Sequence, residues 1–205
     1  GVYGFVRTTL LSIGVFSTFG LGYSATKFIA EYMRSNPEWI RSVISDFNKI
    51  TLTTSCFFAV NMFFFSEAIA KQIGAPDQHT AIRYLSVIVI FNSITTTQTG
   101  ILAGFKKFKQ LTRIQTINGI ITFLLGVILT YFYSLNGALI ALLLSQMFNC
   151  VQNYVEVRKS VNALGANHQK VSFIRKLTTF SLPITLHEMV SSLTQWAYPI
   201  LIVKF

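Results

Sequence analysis

Charged side chains are scarce in this sequence, at 12% of its 205 residues, and acidic ones are scarcest, at seven. Enzymes that use general acid–base or nucleophilic chemistry gather such groups in one place. Here there is no paired carboxylate and no Ser/His/Asp arrangement, and Asp46 and Asp77 stand alone. No His-x-x-x-His pair offers metal ligands, and no Gly-x-x-x-x-Gly-Lys-(Ser/Thr) loop offers a cradle for ATP phosphates. The two cysteines, Cys56 and Cys150, form no Cys-x-x-Cys pair, so neither a disulfide framework nor a zinc site is indicated. They read as small residues in helix packing. No catalytic residue, metal or cofactor is expected.

Apolar residues are abundant instead. They make up 52% of the chain, and the mean hydropathy of +0.53 is too high for an ordinary soluble domain. Six apolar runs stand out: Phe5–Thr26, Ile50–Ala70, Tyr84–Gly104, Ile114–Ser134, Gly137–Val155 and Leu177–Val203. Each is close to the ~20 residues a helix needs to cross hydrocarbon. Lipid offers no partner for backbone polar groups, so such runs must be helices and not open strands. The expected fold is all-α, a polytopic transmembrane helix bundle of about six membrane spans.

The basic residues follow the same plan. Connector 27–49 carries Lys27, Arg34, Arg41 and Lys49, and connector 105–113 carries Lys106, Lys107, Lys109 and Arg113. Connector 156–176 carries Arg158, Lys159, Lys170, Arg175 and Lys176, which brings thirteen of the 17 basic residues to one side. The intervening connectors hold only Lys71 and Arg83. By the positive-inside rule the basic side is cytoplasmic. The net charge of +10 is therefore a topology signal, and no nucleic-acid partner is expected. On this parity the first span runs from outside to inside. Gly1 carries no initiator Met, charged n-region or cleavage site, so it does not open a signal peptide. The chain reads as a fragment of a longer transporter, with at least one helix before it and several after.

The turn Ser134-Leu135-Asn136-Gly137 is short enough to make its flanking helices a tight antiparallel hairpin. Ser35-Asn36-Pro37-Glu38 reads as a helix stop with a new start at Trp39. Connector 71–83, with Gly74, Pro76 and Asp77, reads as an outer turn. Residues 156–176 form a long connector with a basic cluster at each end, the best place for a boundary between two bundles. Its flanks are suited to lie as basic helices on the anionic inner leaflet.

Several segments carry a family resemblance. Gly20-Leu21-Gly22-Tyr23-Ser24-Ala25-Thr26-Lys27-Phe28-Ile29-Ala30-Glu31 resembles the segment that ends the second helix of polysaccharide (O-antigen type, Wzx-like) flippases. These belong to the multidrug/oligosaccharidyl-lipid/polysaccharide (MOP) exporter superfamily. Gly1-Val2-Tyr3-Gly4-Phe5 is similar to the entry to that helix, and Gly100-Ile101-Leu102-Ala103-Gly104-Phe105-Lys106-Lys107-Phe108 to the exit from the fourth. Gly137-Ala138-Leu139 with Asn153-Tyr154 resembles the sixth, and Phe180-Ser181-Leu182-Pro183 the start of the seventh. The motifs run in the family's order along essentially the whole chain. The resemblance implies two lobes (a MATE-like architecture) facing each other across a central cavity. Residues 1–155 would be helices two to six of the N-terminal lobe, 156–176 the cytoplasmic inter-lobe linker, and 177–205 the first helix of the C-terminal lobe. It also implies the activity: flipping an undecaprenyl-pyrophosphate-linked oligosaccharide from inner to outer leaflet by alternating access.

Such a path must replace the hydration of a pyrophosphate and a sugar with fixed cations and hydrogen-bonding groups. Charges within spans are costly, which makes them functional candidates. Arg7 would meet the pyrophosphate if it faces the cavity, or would snorkel to the outer headgroups. Arg83, at the outer start of the third span, faces the same choice. His187 and Glu188 are candidates for binding a coupling proton or cation, or else form an interhelix hydrogen bond. Trp196 and Tyr198, with Pro199, read as an interfacial anchor. Polar stripes at helical spacing add Asn92, Thr96 and Thr99 in the third span, with Ser93, Thr95, Thr97 and Gln98 nearby. Gln115, Asn118 and Thr122 follow in the fourth, and Ser145, Asn149, Gln152 and Glu156 in the fifth. Stripes of this kind either line a wet cavity or hold helices together. Gly100 and Gly104 form a small-xxx-small pair suited to close packing.

The expected substrate is therefore a lipid-linked oligosaccharide in the cytoplasmic (inner) membrane, with membrane lipids and polysaccharide polymerase or assembly proteins as further partners. The expected role in surface polysaccharide (O-antigen, lipopolysaccharide) biosynthesis is transport and not catalysis. A drug/cation antiporter of the same superfamily is the rival, kept open by Glu188. An integral-membrane glycosyltransferase or polymerase is a third, opposed by the lack of gathered acidic groups.

Overall fold

The computed structural model describes residues 18, 20–72, 79–165 and 171–204. Among them the chain is helical, with no strand. Helix α1 (Leu21–Ser35) buries Leu21, Ser24, Ala25, Phe28, Ile29 and Tyr32, the repeat of three and four that puts one stripe against a core. Asn36 closes it by donating its N–H to the Tyr32 carbonyl at 3.0 Å, and Pro37–Trp39 forms a single 3₁₀ turn. Helix α2 (Ile40–Phe64) then begins one residue after the start expected at Trp39. Short α3 (Ser66–Gln72) precedes α4 (His79–Gly104). A helical run from Phe108 to Asn162 breaks only at Ser134, dividing it into α5 (Phe108–Ser134) and α6 (Asn136–Asn162). Helix α7 (Ile174–Lys204) completes the described chain.

Three of these helices, α4, α5 and α6, are long and apolar enough to cross a membrane. Most of the first run, Phe5–Thr26, lies outside the described residues, and the described parts of the other runs show local breaks. In the first run Gly20 takes a left-handed conformation (φ +58°), so Phe5–Thr26 is not one uninterrupted helix, and α1 starts only at Leu21. A side chain there would meet Ile184 of α7 at 2.7 Å, so the glycine serves both the bend and the contact. The run Ile50–Ala70 is cut at Phe65, which ends α2. Helix α7 has 31 residues, but His187, Glu188 and its hydroxyl residues dilute its apolar character.

Helix α4 is the centre of the bundle. Half of its apolar window is buried. It meets α1 backbone to backbone: a Cβ on Gly100 would run into the carbonyl of Gly22, and one on Gly104 would stand 2.6 Å from Ile29 Cβ. Thr26 fastens the crossing by donating to the Gly100 carbonyl at 3.1 Å and to its own Gly22 carbonyl at 3.0 Å. The small-xxx-small pair thus sits where close packing demands it. On the α2 side Thr51 and Thr97 hydroxyls bond at 2.9 Å.

The hairpin expected at 134–137 forms. Ser134 leaves helical geometry (φ 51°, ψ −129°), and a side chain on Gly137 would collide with the Leu129 carbonyl. The three basic connectors share one end of the bundle. A single apolar cluster beneath them joins Tyr32, Ile40 and Phe47 to Ile114, Val157, Phe173 and Leu177.

At that end α4 stops on a double cap: Lys106 N–H bonds the Ala103 carbonyl at 2.9 Å and Lys107 N–H bonds Leu102 at 3.0 Å. The cap needs a left-handed residue, and Lys106 supplies it at φ 59°, a position natural to glycine. Lys106→Gly is expected to raise stability by about 1 kcal/mol. Gly100→Ala, by separating α1 from α4, is expected to lower it by about 1–3 kcal/mol. Melting temperatures of the purified protein check both.

Candidate transport site

Polar side chains inside the bundle divide into those that are paired and those left open. Ser93 and Thr97 return bonds to their own helix at 2.9 and 3.0 Å, and Thr97 also reaches Thr51, so this part of the α4 stripe holds helices together. Thr96 lies against Gly22 at the α1 crossing: a methyl there would stand 3.0 Å from its Cγ2. Asn92 is half-buried beside them.

The α4 face toward α6 behaves differently. Gln98 is hydrogen-bonded to Cys150, yet its Oε1 is buried without a partner, as is Thr95 Oγ1 one turn earlier. On α6 the Asn149 carbonyl accepts from Asn153 Nδ2 at 3.0 Å, while Asn153 Oδ1 and Gln146 Oε1 remain open. Gln152 Nε2, and Asn118 Oδ1 on α5, are also buried and unpaired. Gln115 is exposed. A buried polar atom without a partner costs about 1–3 kcal/mol. Such a set has physical sense where water or a hydroxyl-rich ligand completes it.

Charged candidates distribute less simply. Arg7 lies outside the described residues. Arg83, at the sparsely charged end, donates from Nε to Ser66 Oγ at 3.3 Å and pairs through Nη2 with Glu67 at 3.5 Å. Its guanidinium also lies 5.5 Å from the Phe63 ring centre. His187 is exposed while Glu188 is half-buried, since consecutive helix residues project about 100° apart. Glu188 accepts a hydrogen bond from the Gly20 backbone and keeps Oε2 buried and open. The side chains of Trp196 and Tyr198 lie outside the described set.

The most heavily bonded polar region was not legible in the sequence. Asp46, solitary along the chain, is 4% exposed in α2 and accepts the Phe173 N–H at 2.8 Å, at the entrance to α7. Lys49 Nζ stands 3.3 Å from its other oxygen. Lys176 donates to the Tyr32 hydroxyl at 2.8 Å and lies 3.9 Å from Glu31. Lys27 Nζ stands 3.8 Å from the Phe180 ring centre, and Ser24 and Ser181 hydroxyls bond at 2.8 Å. Phe28, Tyr32, Trp39, Phe173 and Phe180 pack around these contacts. Together they clamp the start of α7 onto α1 and α2 at the basic end. The partners lie more than a hundred residues apart in the chain, so no spacing rule exposes them.

Two outcomes follow for the clamp. Asp46→Ala leaves the Phe173 N–H unpaired and is expected to cost about 1–3 kcal/mol, whereas Asp46→Asn keeps an acceptor and costs less; thermal unfolding ranks the two. The Tyr32 hydrogen bond lifts Lys176 above the ordinary lysine range. Its contribution is therefore complete at neutral pH and lost only as pH climbs through that raised value. A pH titration should show wild type more stable than Lys176→Met at neutral pH, with that advantage disappearing only in the alkaline limb.

Comparison with known proteins agrees with the geometry. Neither a curated protein nor a solved structure matches the chain. A family model described as "Polysaccharide biosynthesis protein" matches residues 1–205. From end to end, then, the chain belongs to the polysaccharide biosynthesis protein family, that of the Wzx-like flippases of the MOP superfamily.

Proposed function

We propose that this chain forms part of a flippase that moves undecaprenyl-pyrophosphate-linked oligosaccharide repeat units across the cytoplasmic membrane for surface polysaccharide biosynthesis. The observation that carries this reading, beside family membership, is the set of open polar atoms within apolar helices. Thr95, Gln98, Gln146, Gln152 and Asn153 hold unpaired hydrogen-bonding atoms on α4 and α6, with Asn118 on α5. A sugar entering from water needs such groups to replace its hydration, and a lipid-facing structural helix does not. Asn92, Thr96, Gln115 and Asn149 belong to the same polar stripes, and Arg7 and Arg83 are the proposed pyrophosphate contacts.

In this reading the protein is a multi-pass inner-membrane transporter and no enzyme. It works by alternating access, and polymerase or assembly proteins receive its product. Residues 1–155 serve as the first lobe, 156–176 as the linker, and 177–205 as the first helix of the second. The α1–α7 clamp is then a contact between lobes that opens in each cycle. Glu188, with one oxygen open inside the membrane, is the proposed coupling-ion site together with His187. It is also the observation that favours the second reading, a drug/cation antiporter.

The test places the full-length gene in a strain lacking its own flippase. Wild type should restore surface polymer. Glu188→Gln, His187→Ala and Arg7→Ala, expressed at equal levels, should reduce it and leave lipid-linked repeat units inside. Drug efflux without polymer would favour the antiporter. In a Cys56→Ser/Cys150→Ser background, the pair Ser24→Cys/Ser181→Cys should block export when oxidised and release it on reduction. Full export by the cross-linked protein would show that α7 moves with the first bundle.

A further inference from the structure

A cleft of about 480 Å³ opens beside the clamp, between α2 and the segment that leads into α7. Arg41, Ser45 and Lys49 line it from one stripe of α2, four residues apart, and Ser172 faces them. Its one carboxylate, Asp46, is at the base, with one oxygen taken by the Phe173 N–H and the other by Lys49. Arg41 spends one nitrogen on the Gly165 carbonyl at 2.9 Å, and the rest of its donor fork is not used by that bond. Ser42 already holds Val171 N–H at 3.4 Å, but the Ser45 and Ser172 side chains stand exposed at the rim. Two cations against one carboxylate leave the cleft with a net positive charge, and with the two rim hydroxyls this makes it a site for an anion.

Position narrows the class. The apolar stretch of α2 begins at Ile50, so on the sequence reading of that run as membrane-embedded Lys49 stands at the edge of the hydrocarbon. Ser45 lies about 6 Å further out along the helix. The headgroup layer adds roughly 5–8 Å on each side of the hydrocarbon, so Lys49 and Ser45 fall within it. The cleft stands at the basic end of the bundle, the face that meets anionic lipids. Its volume exceeds that of a bare phosphate and suits a phosphate ester with its glycerol.

We propose that this cleft binds the phosphate ester of an anionic lipid headgroup, held by Arg41 and Lys49 with Ser45 and Ser172 as hydroxyl donors. The site is separate from the proposed sugar path and does not depend on which substrate is flipped. A headgroup seated there bridges α2 to the entrance of α7, beside the Asp46–Phe173 bond.

The test uses the full-length protein in nanodiscs of phosphatidylcholine alone or doped with phosphatidylglycerol. Bound lipid is read by native mass spectrometry and stability by thermal unfolding. Phosphatidylglycerol should be retained on wild type and raise its melting temperature. Arg41→Gln/Lys49→Gln should weaken retention by about tenfold. Ser172→Asp, which adds an exposed negative charge without removing a buried contact, should do the same and covers the case in which the double variant misfolds. Glycerol phosphate added to the undoped discs distinguishes the sources: protection by it assigns a soluble phosphate ester, and protection by the lipid alone assigns a headgroup. Equal retention by wild type and both variants, or protection by neither ligand, overturns the proposal.

Discussion

The approach of Gly22 to Gly100 sets the spacing of the whole bundle. Two helices without side chains at their crossing come close enough for a threonine of one to bond the backbone of the other, as Thr26 does. Apolar surface offers little drive to helix association in lipid, where the solvent is as apolar as the side chains, so close backbone packing must supply it. With α1 fixed on α4, the remaining contacts fall into register. Thr51 meets Thr97 on the α2 side, and Gly104 receives Ile29 a turn further on.

From this crossing α4 takes on two roles at once. Its α1 and α2 faces are closed by bonded hydroxyls, while the α6 face keeps Thr95 and Gln98 oxygens open. A helix bonded on two sides is a rigid support, and an open third side gains precision from it. The clamp adds a separate element at the basic end, where cations, aromatic rings and one buried carboxylate tie α7 down. Lys176 combines a hydrogen bond with ring contacts and Lys27 stands over the Phe180 ring, which keeps both charges at the surface while the stems cover apolar area.

What could be read from the sequence was local. The stop at Ser35–Pro37, the hairpin at Ser134–Gly137 and the tight glycines of α4 each rest on residues a few positions apart, and each is found. The breaks at Gly20 and Phe65 sat inside apolar runs, where hydropathy is blind to backbone geometry. The polar stripes were visible, but period alone cannot tell a bonded threonine from an open one. Thr97 and Gln98 are neighbours with opposite fates because their partners lie on different helices. Asp46 was the clearest omission, since its meaning lies in a backbone N–H at residue 173.

The hairpin bend at Ser134 has a consequence for how the protein is made. Helix α5 is the more apolar of the two, with none of its central window buried, whereas α6 carries Ser145, Asn149 and Asn153 buried on one side. One residue of non-helical backbone leaves no slack between them. Two apolar helices joined this tightly are expected to enter the bilayer as one hairpin, the more apolar helix carrying the more polar one. Lengthening that turn would uncouple their insertion and leave α6 to enter on its own merits.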